Sequence, residues 1–217
     1  KIMNEQMKKL LEYDTPSITN VVATYPAKEL CLGLYHPWEG HWYTDETLKC
    51  MFPELGPRVG YAVTVVYGPV DPAYNKLGIT DVLRAIEKSP KPVILAVKQQ
   101  FPEHIKKING LLGGNMMTAF KAAGAVGVLS DGPSRDLEEI RPMEMQYMLT
   151  GLTPGHGDFA VYAVNVPVEI CGMGVAPGEI IHMDANGAVK FPAEYLDEVA
   201  KRVGPFCEEE EKKQAMM

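Results

Sequence analysis

Residues 113–136 read GGNMMTAFKAAGAVGVLSDGPSRD, and this stretch carries both the fold class and the candidate chemistry. Its centre, Ala125–Ser130, is a short apolar run that predicts a buried strand. Upstream, Asn115–Ala123 predicts a helix, with Asn115 as N-cap and Gly124 just past its end. Downstream, Asp136-Leu137-Glu138-Glu139 fits an N-cap with an acid at the third helical position. Helix, strand, loop and helix in succession describe an α/β protein.

Working outward, Tyr61–Val66 and Val93–Val97 read as further buried strands, separated by a helix over Thr80–Lys88. Thr15-Pro16-Ser17 is a helix start, with Thr15 as cap and Pro16 at the first helical position. The second half is richer in β: Gln146–Thr150 and Val164–Ile170 read as strands, and Glu179–Asp184 pairs with Ala188–Phe191 through Asn186-Gly187. Pro192 opens a helix with Leu196, Val199, Ala200 and Val203 on one face, and Gly204-Pro205 is expected to stop it. The expected organisation is one domain over residues 1–217, with an irregular aromatic-rich segment at about 30–57 and a charged, frayed tail at 204–217.

Composition narrows the partners. The 217 residues carry 21 Lys+Arg against 28 Asp+Glu, a net charge of −7, which disfavours sequence-independent nucleic-acid binding. No apolar run approaches the ~18–20 residues of a membrane span, and Lys1 to Leu10 has no signal-peptide core. Cys31, Cys50, Cys171 and Cys207 form no CxxC pair and read as reduced thiols of a cytoplasmic protein.

Several chemistries lack their motifs. There is no P-loop, HExxH or G-x-S-x-G elbow around Ser134, and Gly172-Met173-Gly174 is a bare GxG with no helix to follow. His36 and His41 lie in the aromatic-rich stretch and read as packing or solvent-facing rather than as metal ligands. Lys121 sits late on a helix and reads as an exposed lysine, not a Schiff-base nucleophile.

Two segments remain. A helix starting at Asn115 would aim the amides of Met116 and Met117 outward, a site for a small carboxylate behind Gly113-Gly114. The plain alternative is a loop-to-helix junction capped by Asn115. In the loop after the 125–130 strand, Arg135 offers a planar fork for a carboxylate or an enolate oxygen. Asp136 offers a hard oxygen for Mg²⁺. Here the alternative is a neighbouring ion pair, with Asp136 only capping a helix. Ligands of α/β proteins gather at the carboxyl ends of strands, and one helix and one strand between the two segments would bring them to the same edge. Such a convergence suits a 2-oxo acid.

In order along the chain, Gly114-Asn115-Met116-Met117-Thr118-Ala119, Gly124-Ala125-Val126-Gly127-Val128, Asp131-Gly132-Pro133-Ser134-Arg135-Asp136, Gly151-Leu152-Thr153-Pro154, Val164-Asn165-Val166-Pro167-Val168, Pro177-Gly178-Glu179 and Asp184-Ala185-Asn186-Gly187-Ala188-Val189 resemble the RraA-like family over roughly residues 58 to 203. That family includes 4-hydroxy-4-methyl-2-oxoglutarate aldolases and a regulator of ribonuclease E. The resemblance implies a swivelling β/β/α domain, a homotrimer or homohexamer, and a class II aldolase or oxaloacetate decarboxylase-like lyase using Mg²⁺ or Mn²⁺. It assigns Arg135 to the substrate carboxylate or keto oxygen and to the enolate, Asp136 to the metal, and Met116 and Met117 amides to the substrate carboxylate. The methyltransferase label attached to some relatives finds no support, because the glycine loop for a methyl donor is missing.

Two departures and one family feature bear on the site. Active aldolases often carry an acid where this chain has Asn115, which can hydrogen-bond a water but cannot take its proton. The segment from Leu30 to Pro57 is longer and more aromatic than the family pattern. Relatives place an acid of a neighbouring chain's C-terminal segment near the metal, a role open to Glu208–Glu211. Against the lyase stand a non-enzymatic regulator and a carboxylate-binding protein without turnover.

Overall fold

A computed structural model describes residues 3–217; Lys1 and Ile2 lie outside the described residues. Its strands are β1 (Lys49–Cys50), β2 (Arg58–Gly68), β3 (Val93–Gln99), β4 (Ala125–Ser130), β5 (Gln146–Leu149), β6 (Ala160–Val164), β7 (Val168–Ile170), β8 (Met173–Val175), β9 (Ile180–Asp184) and β10 (Gly187–Phe191). The helices are α1 (Glu5–Leu10), α2 (Thr15–Thr19), α3 (Ile79–Lys88), α4 (Glu103–Lys106), α5 (Gly114–Ala123), α6 (Leu137–Ile140) and α7 (Leu196–Ala215). The main sheet runs β1-β5-β4-β3-β2-β9-β10, with β6 also paired to β2, and its centre β2-β3-β4-β5 is parallel.

Burial on both faces explains why the central strands read as continuous apolar runs. From β2 and β3, Val63, Val65, Leu95 and Val97 join Val82 and Ile86 of α3 and Met117 and Phe120 of α5 in one core. Ala62, Ile94, Ala96 and Leu129 join Ile170, Met173 and Val175 of the β7–β8 hairpin in a second core. The result is a small sheet, a large sheet and a helical layer. A third cluster ties α1, α2 and α7 to Val59, Ile180, Val189 and Phe191.

Four expectations need correction. Thr15 does not cap α2: Asp14 does, accepting from the Ser17 amide at 2.9 Å, and Thr15 opens the helix. Residues Val164–Ile170 are not one strand but the end of β6 and the separate β7. Gly204-Pro205 does not stop the last helix, which runs through Pro205 to Ala215. Proline forfeits one backbone hydrogen bond, but Val203 and Phe206 are buried on either side of it, so packing holds the helix together. Hence residues 204–215 are helical, not a frayed tail, and Lys213 pairs there with Glu209 at 2.9 Å. Asp136 does hold the N-cap position of α6, with Glu139 third in the helix, but its side chain makes no capping bond there.

Residues 30–57 are largely irregular, as expected, and they cover the β9–β10 edge: Tyr43 bridges Val189, and Trp42 is buried beside Tyr35. The four cysteines are unpaired, and burial pushes the Cys50 and Cys171 thiols up to about 11, which keeps them protonated and unreactive. Among the described residues no helix is long and apolar enough to cross a membrane.

His182 of β9 fastens the N-terminal helices to the sheet. Its Nε2 donates to the Leu10 carbonyl at 2.9 Å, so its Nδ1 is the acceptor for the Thr15 hydroxyl at 2.8 Å. Desolvation by complete burial lowers its pKa, against the opposing pull of the Leu10 carbonyl and the Asp184 carboxylate. Below the ordinary value of 6.5 the unfolded chain therefore binds a proton that the folded chain resists. Stability is full above that pH and falls by up to about 1.4 kcal/mol per pH unit below it, until the folded ring titrates. Urea unfolding at pH 7.5 and pH 5.5 should show a loss about 1 kcal/mol larger for wild type than for His182→Gln. Equal losses would mean that the ring is protonated in the folded state.

Candidate functional site

The site forms where three consecutive parallel strands end. The loops after β3, β4 and β5 meet at one edge: the Arg135 amide donates to Leu112 O at 3.2 Å, Thr153 N to Ser134 O at 3.0 Å, and Gly110 N to Gly155 O at 2.7 Å. Below them Tyr147 of β5 is buried, its hydroxyl 3.1 Å from the carbonyls of both Leu112 and Arg135. The Ser134 hydroxyl accepts from Leu112 N at 3.2 Å. It supports the loop rather than acting as a nucleophile.

Asp136 adopts a left-handed backbone (φ 62°), a conformation that Asp tolerates better than most residues. The strained turn sends its carboxylate away from α6, where it makes no capping bond, and across to α5. Oδ2 accepts from Gly114 N at 2.9 Å and lies 3.6 Å from Arg135 Nε. Arg135 Nη1 donates to Pro154 O at 3.3 Å, and both side chains stay about one-third exposed. So the two candidate side chains of the 131–136 loop sit at the amino end of α5.

That helix begins at Gly114, and its N-cap lies two residues earlier than expected. Gly113, not Asn115, is the N-cap, and Asn115 is the second helical residue, with its side chain exposed at the cavity. The shift corrects the anion site too. Met117 N donates to Gly113 O at 3.0 Å and the Met117 side chain is fully buried, so that amide is not free for a substrate. The first-turn amides without an intrahelical acceptor are those of Gly114, Asn115 and Met116, and Asp136 takes the first.

The glycine pair has a steric reason. A Cβ at Gly113 would lie 2.7 Å from Asp136 Oδ2, and one at Gly114 would overlap the Glu139 carboxylate. Two carboxylates therefore approach the start of α5 only because both residues lack side chains. Glu139 has a sequence signal only as part of a capping pattern, and His156, in Gly155-His156-Gly157, and Phe159 have none. All three line the cavity of about 430 Å³ shared by Arg135, Asp136 and Asn115. His156 Nδ1 donates to Gly157 O at 3.0 Å, which leaves Nε2 of the neutral ring as an acceptor.

The donor set fits a hard divalent cation. Asp136 and Glu139 are carboxylates, Asn115 an amide, and no cluster of three His, Cys, Asp or Glu forms among the described residues. Proteins hold Mg²⁺ by one or two carboxylates, with its remaining positions left to water and substrate. His36 accepts from Trp38 N at 3.3 Å, and His41 meets Gly172 O at 3.1 Å, so each ring has a backbone partner. Lys121 donates to Met143 O at 2.6 Å and is exposed, away from this cavity.

Residues 37–190 match the RraA-like family, described as Aldolase/RraA. The chain belongs to the RraA-like family. An uncharacterized protein of Methanocaldococcus jannaschii is 28% identical over 207 residues, covering 95% of this RraA-like chain and 91% of that protein. A 4-hydroxy-4-methyl-2-oxoglutarate aldolase of Thermus thermophilus is 32% identical over 88 residues, which cover 38% of this chain and 51% of the aldolase. Among solved structures, RraAS2 of Streptomyces coelicolor, an unusual member of the RNase ES inhibitor RraA protein family, superposes with a TM-score of 0.71 at 21% identity. That superposition covers 100% of this chain and 98% of RraAS2. The layered α/β fold is thus the RraA-like one. The family holds both aldolases and ribonuclease regulators, so the site's chemistry must decide between them.

Proposed function

We propose that the protein is a divalent-metal-dependent lyase that cleaves 2-oxo acids through a pyruvate enolate. The observation that carries this reading is the convergence of Arg135, Asp136 and Glu139 on the glycine-cleared start of α5. Asp136 and Glu139 would hold the ion, Mg²⁺ or Mn²⁺, with Asn115 orienting a water. A bound divalent ion supplies Lewis-acid polarisation of a substrate oxygen.

The protein supplies the rest. Arg135 presents a guanidinium fork to the substrate carboxylate or keto oxygen, and its charge stabilises the enolate as it develops. The amides of Asn115 and Met116 add donors of the same sign. In oxaloacetate decarboxylation the bond to the C4 carboxylate breaks, its electrons enter the enolate, and no base is needed. In retro-aldol cleavage the C3–C4 bond breaks and the C4 hydroxyl must lose a proton. Asn115 cannot take it; His156 Nε2 can, which gives this chain a base in place of the missing acid.

Homotrimeric or homohexameric assembly goes with this reading, as does a cytoplasmic setting without nucleic-acid or membrane partners. The test is pyruvate formation from oxaloacetate and from 4-hydroxy-4-methyl-2-oxoglutarate, with Mg²⁺ and with excess chelator. Release from either substrate that chelation abolishes is expected. No release from either, by a folded protein that binds metal, would contradict the proposal and favour a regulator of the ribonuclease kind.

A further inference from the structure

The cavity over Arg135 and Asp136 borders a second one. Met116 and Phe159 line both, and the second has a volume of about 670 Å³. Its chemistry is the opposite of the first, with walls that include Tyr67, Tyr74, Leu77, Ile79 and Val161. A volume of this order suits one small-molecule moiety.

The wall is built and fastened. Residues 69–78, which lead from β2 to α3, are fixed to β6 at three points. Tyr162 Oη donates to Pro69 O at 2.7 Å, the Tyr74 ring stacks on Tyr162 at 3.8 Å, and Leu77 bridges Val161. Yet Tyr74, Leu77 and Ile79 remain 43%, 38% and 41% exposed, which is high for large apolar side chains held in place.

Tyr67 supplies an independent indication. It is only 1% exposed and lines this chamber, and its hydroxyl has no hydrogen-bond partner. Buried hydroxyls are nearly always satisfied in native proteins. Its ring meets Phe159 edge-on, with centroids 5.5 Å apart and planes at 86°. An aromatic ring entering between Phe159 and Tyr74 would extend this edge-to-face packing. A polar ring substituent would give the Tyr67 hydroxyl its partner.

The geometry points to a 2-oxo acid bearing an aryl group as the substrate class. The oxo-acid end lies at Arg135 and Asp136, and the ring lies beyond Met116 and Phe159 in the apolar chamber. This assignment rests on the lyase reading above and narrows it. The wall of Met116 and Phe159 shared with the oxo-acid site favours a group tethered to a carboxylate over a second copy of the chain. Met116, unbranched and adaptable, suits the boundary between the two compartments.

The test is calorimetric titration in Mg²⁺ with three probes: oxalate, pyruvate and 2-oxo-4-phenylbutanoate. The proteins are wild type, Ile79→Trp, which fills the chamber, and Tyr74→Ala, which removes one wall; both substitutions are at partly exposed positions. The phenyl compound should bind wild type at least tenfold more tightly than pyruvate. Each variant should cut that advantage to threefold or less and leave oxalate affinity within twofold. Oxalate binding with no phenyl advantage, or an advantage unchanged in both variants, would overturn the aryl assignment alone. Absence of oxalate binding to wild type would overturn the lyase reading and this one with it. Sedimentation provides the last arm: an assembly that Ile79→Trp dissociates would place a second copy in the chamber and overturn the assignment.

Discussion

Asp136→Asn should lower metal-dependent pyruvate release by on the order of 100-fold and weaken divalent-metal binding ten- to 100-fold, with little effect on the fold. The reason is the double duty of this side chain. Oδ2 accepts from Gly114 N at 2.9 Å, and the backbone holds φ at 62°. Asn keeps both features, since its amide oxygen can accept the same bond and it tolerates the left-handed region. What it loses is the negative charge. Asp136→Ala is a poorer probe, because it also places a residue that disfavours this region at a left-handed position, at a cost of about 1–2 kcal/mol. Activity measured beside a urea unfolding curve separates the two effects. An Asp136→Asn protein that retains wild-type turnover would remove Asp136 from the metal site.

Gly113→Ala should show the same separation without touching a charged residue. At φ −142° the backbone accepts alanine, so the substitution is not strained locally. Its Cβ, however, would lie 2.7 Å from Asp136 Oδ2 and 3.5 Å from Arg135 Nε. Either the carboxylate leaves Gly114 N or the helix start shifts by several tenths of an ångström. A misplacement near 1 Å in a reacting site costs up to about 100-fold. The expected result is a ten- to 100-fold fall in kcat/KM with stability changed by less than about 1 kcal/mol. Unchanged kinetics in this variant would show that the glycine pair serves chain packing alone.

These glycines also mark the border of what the sequence made legible. Ala125–Ser130 and the hairpin around Asn186-Gly187 could be read because burial on both faces and turn chemistry are local signals, and β4 begins and ends where the pattern placed it. The path from the 113–117 segment to the 131–136 loop was readable as well, since one helix and one strand return the chain to the same sheet edge. The details at the two helix starts were not. Asn115 and Asp136 are both strong N-cap types, and local preference alone assigns each to its own helix. In the fold Asp136 reaches 22 residues back to serve α5, and Gly113 takes the cap position that Asn115 leaves.

The C-terminal helix failed for a related reason. Gly204-Pro205 is a sound local stop, but Gly204 is buried within 3.0 Å of the Tyr13 hydroxyl by its would-be Cβ, so a close helix contact and not a helix end explains the glycine. Glu208–Glu211 accordingly lie on α7, where Glu210 faces Lys28 at 3.8 Å, and none of them lines this chain's own cavity. His156 and Phe159 were invisible because their loop has no periodicity. They reach the site only through the hydrogen bonds that join the loop after β5 to Gly110 and Ser134.

The most direct measurement is a Mn²⁺ titration followed by electron paramagnetic resonance, with and without oxalate, on wild type and Asp136→Asn. One Mn²⁺ site per chain is expected in wild type, tightening when oxalate is present and weakening at least tenfold on substitution. Mn²⁺ binding indifferent both to oxalate and to Asp136 would contradict a joint metal and oxo-acid site at the start of α5.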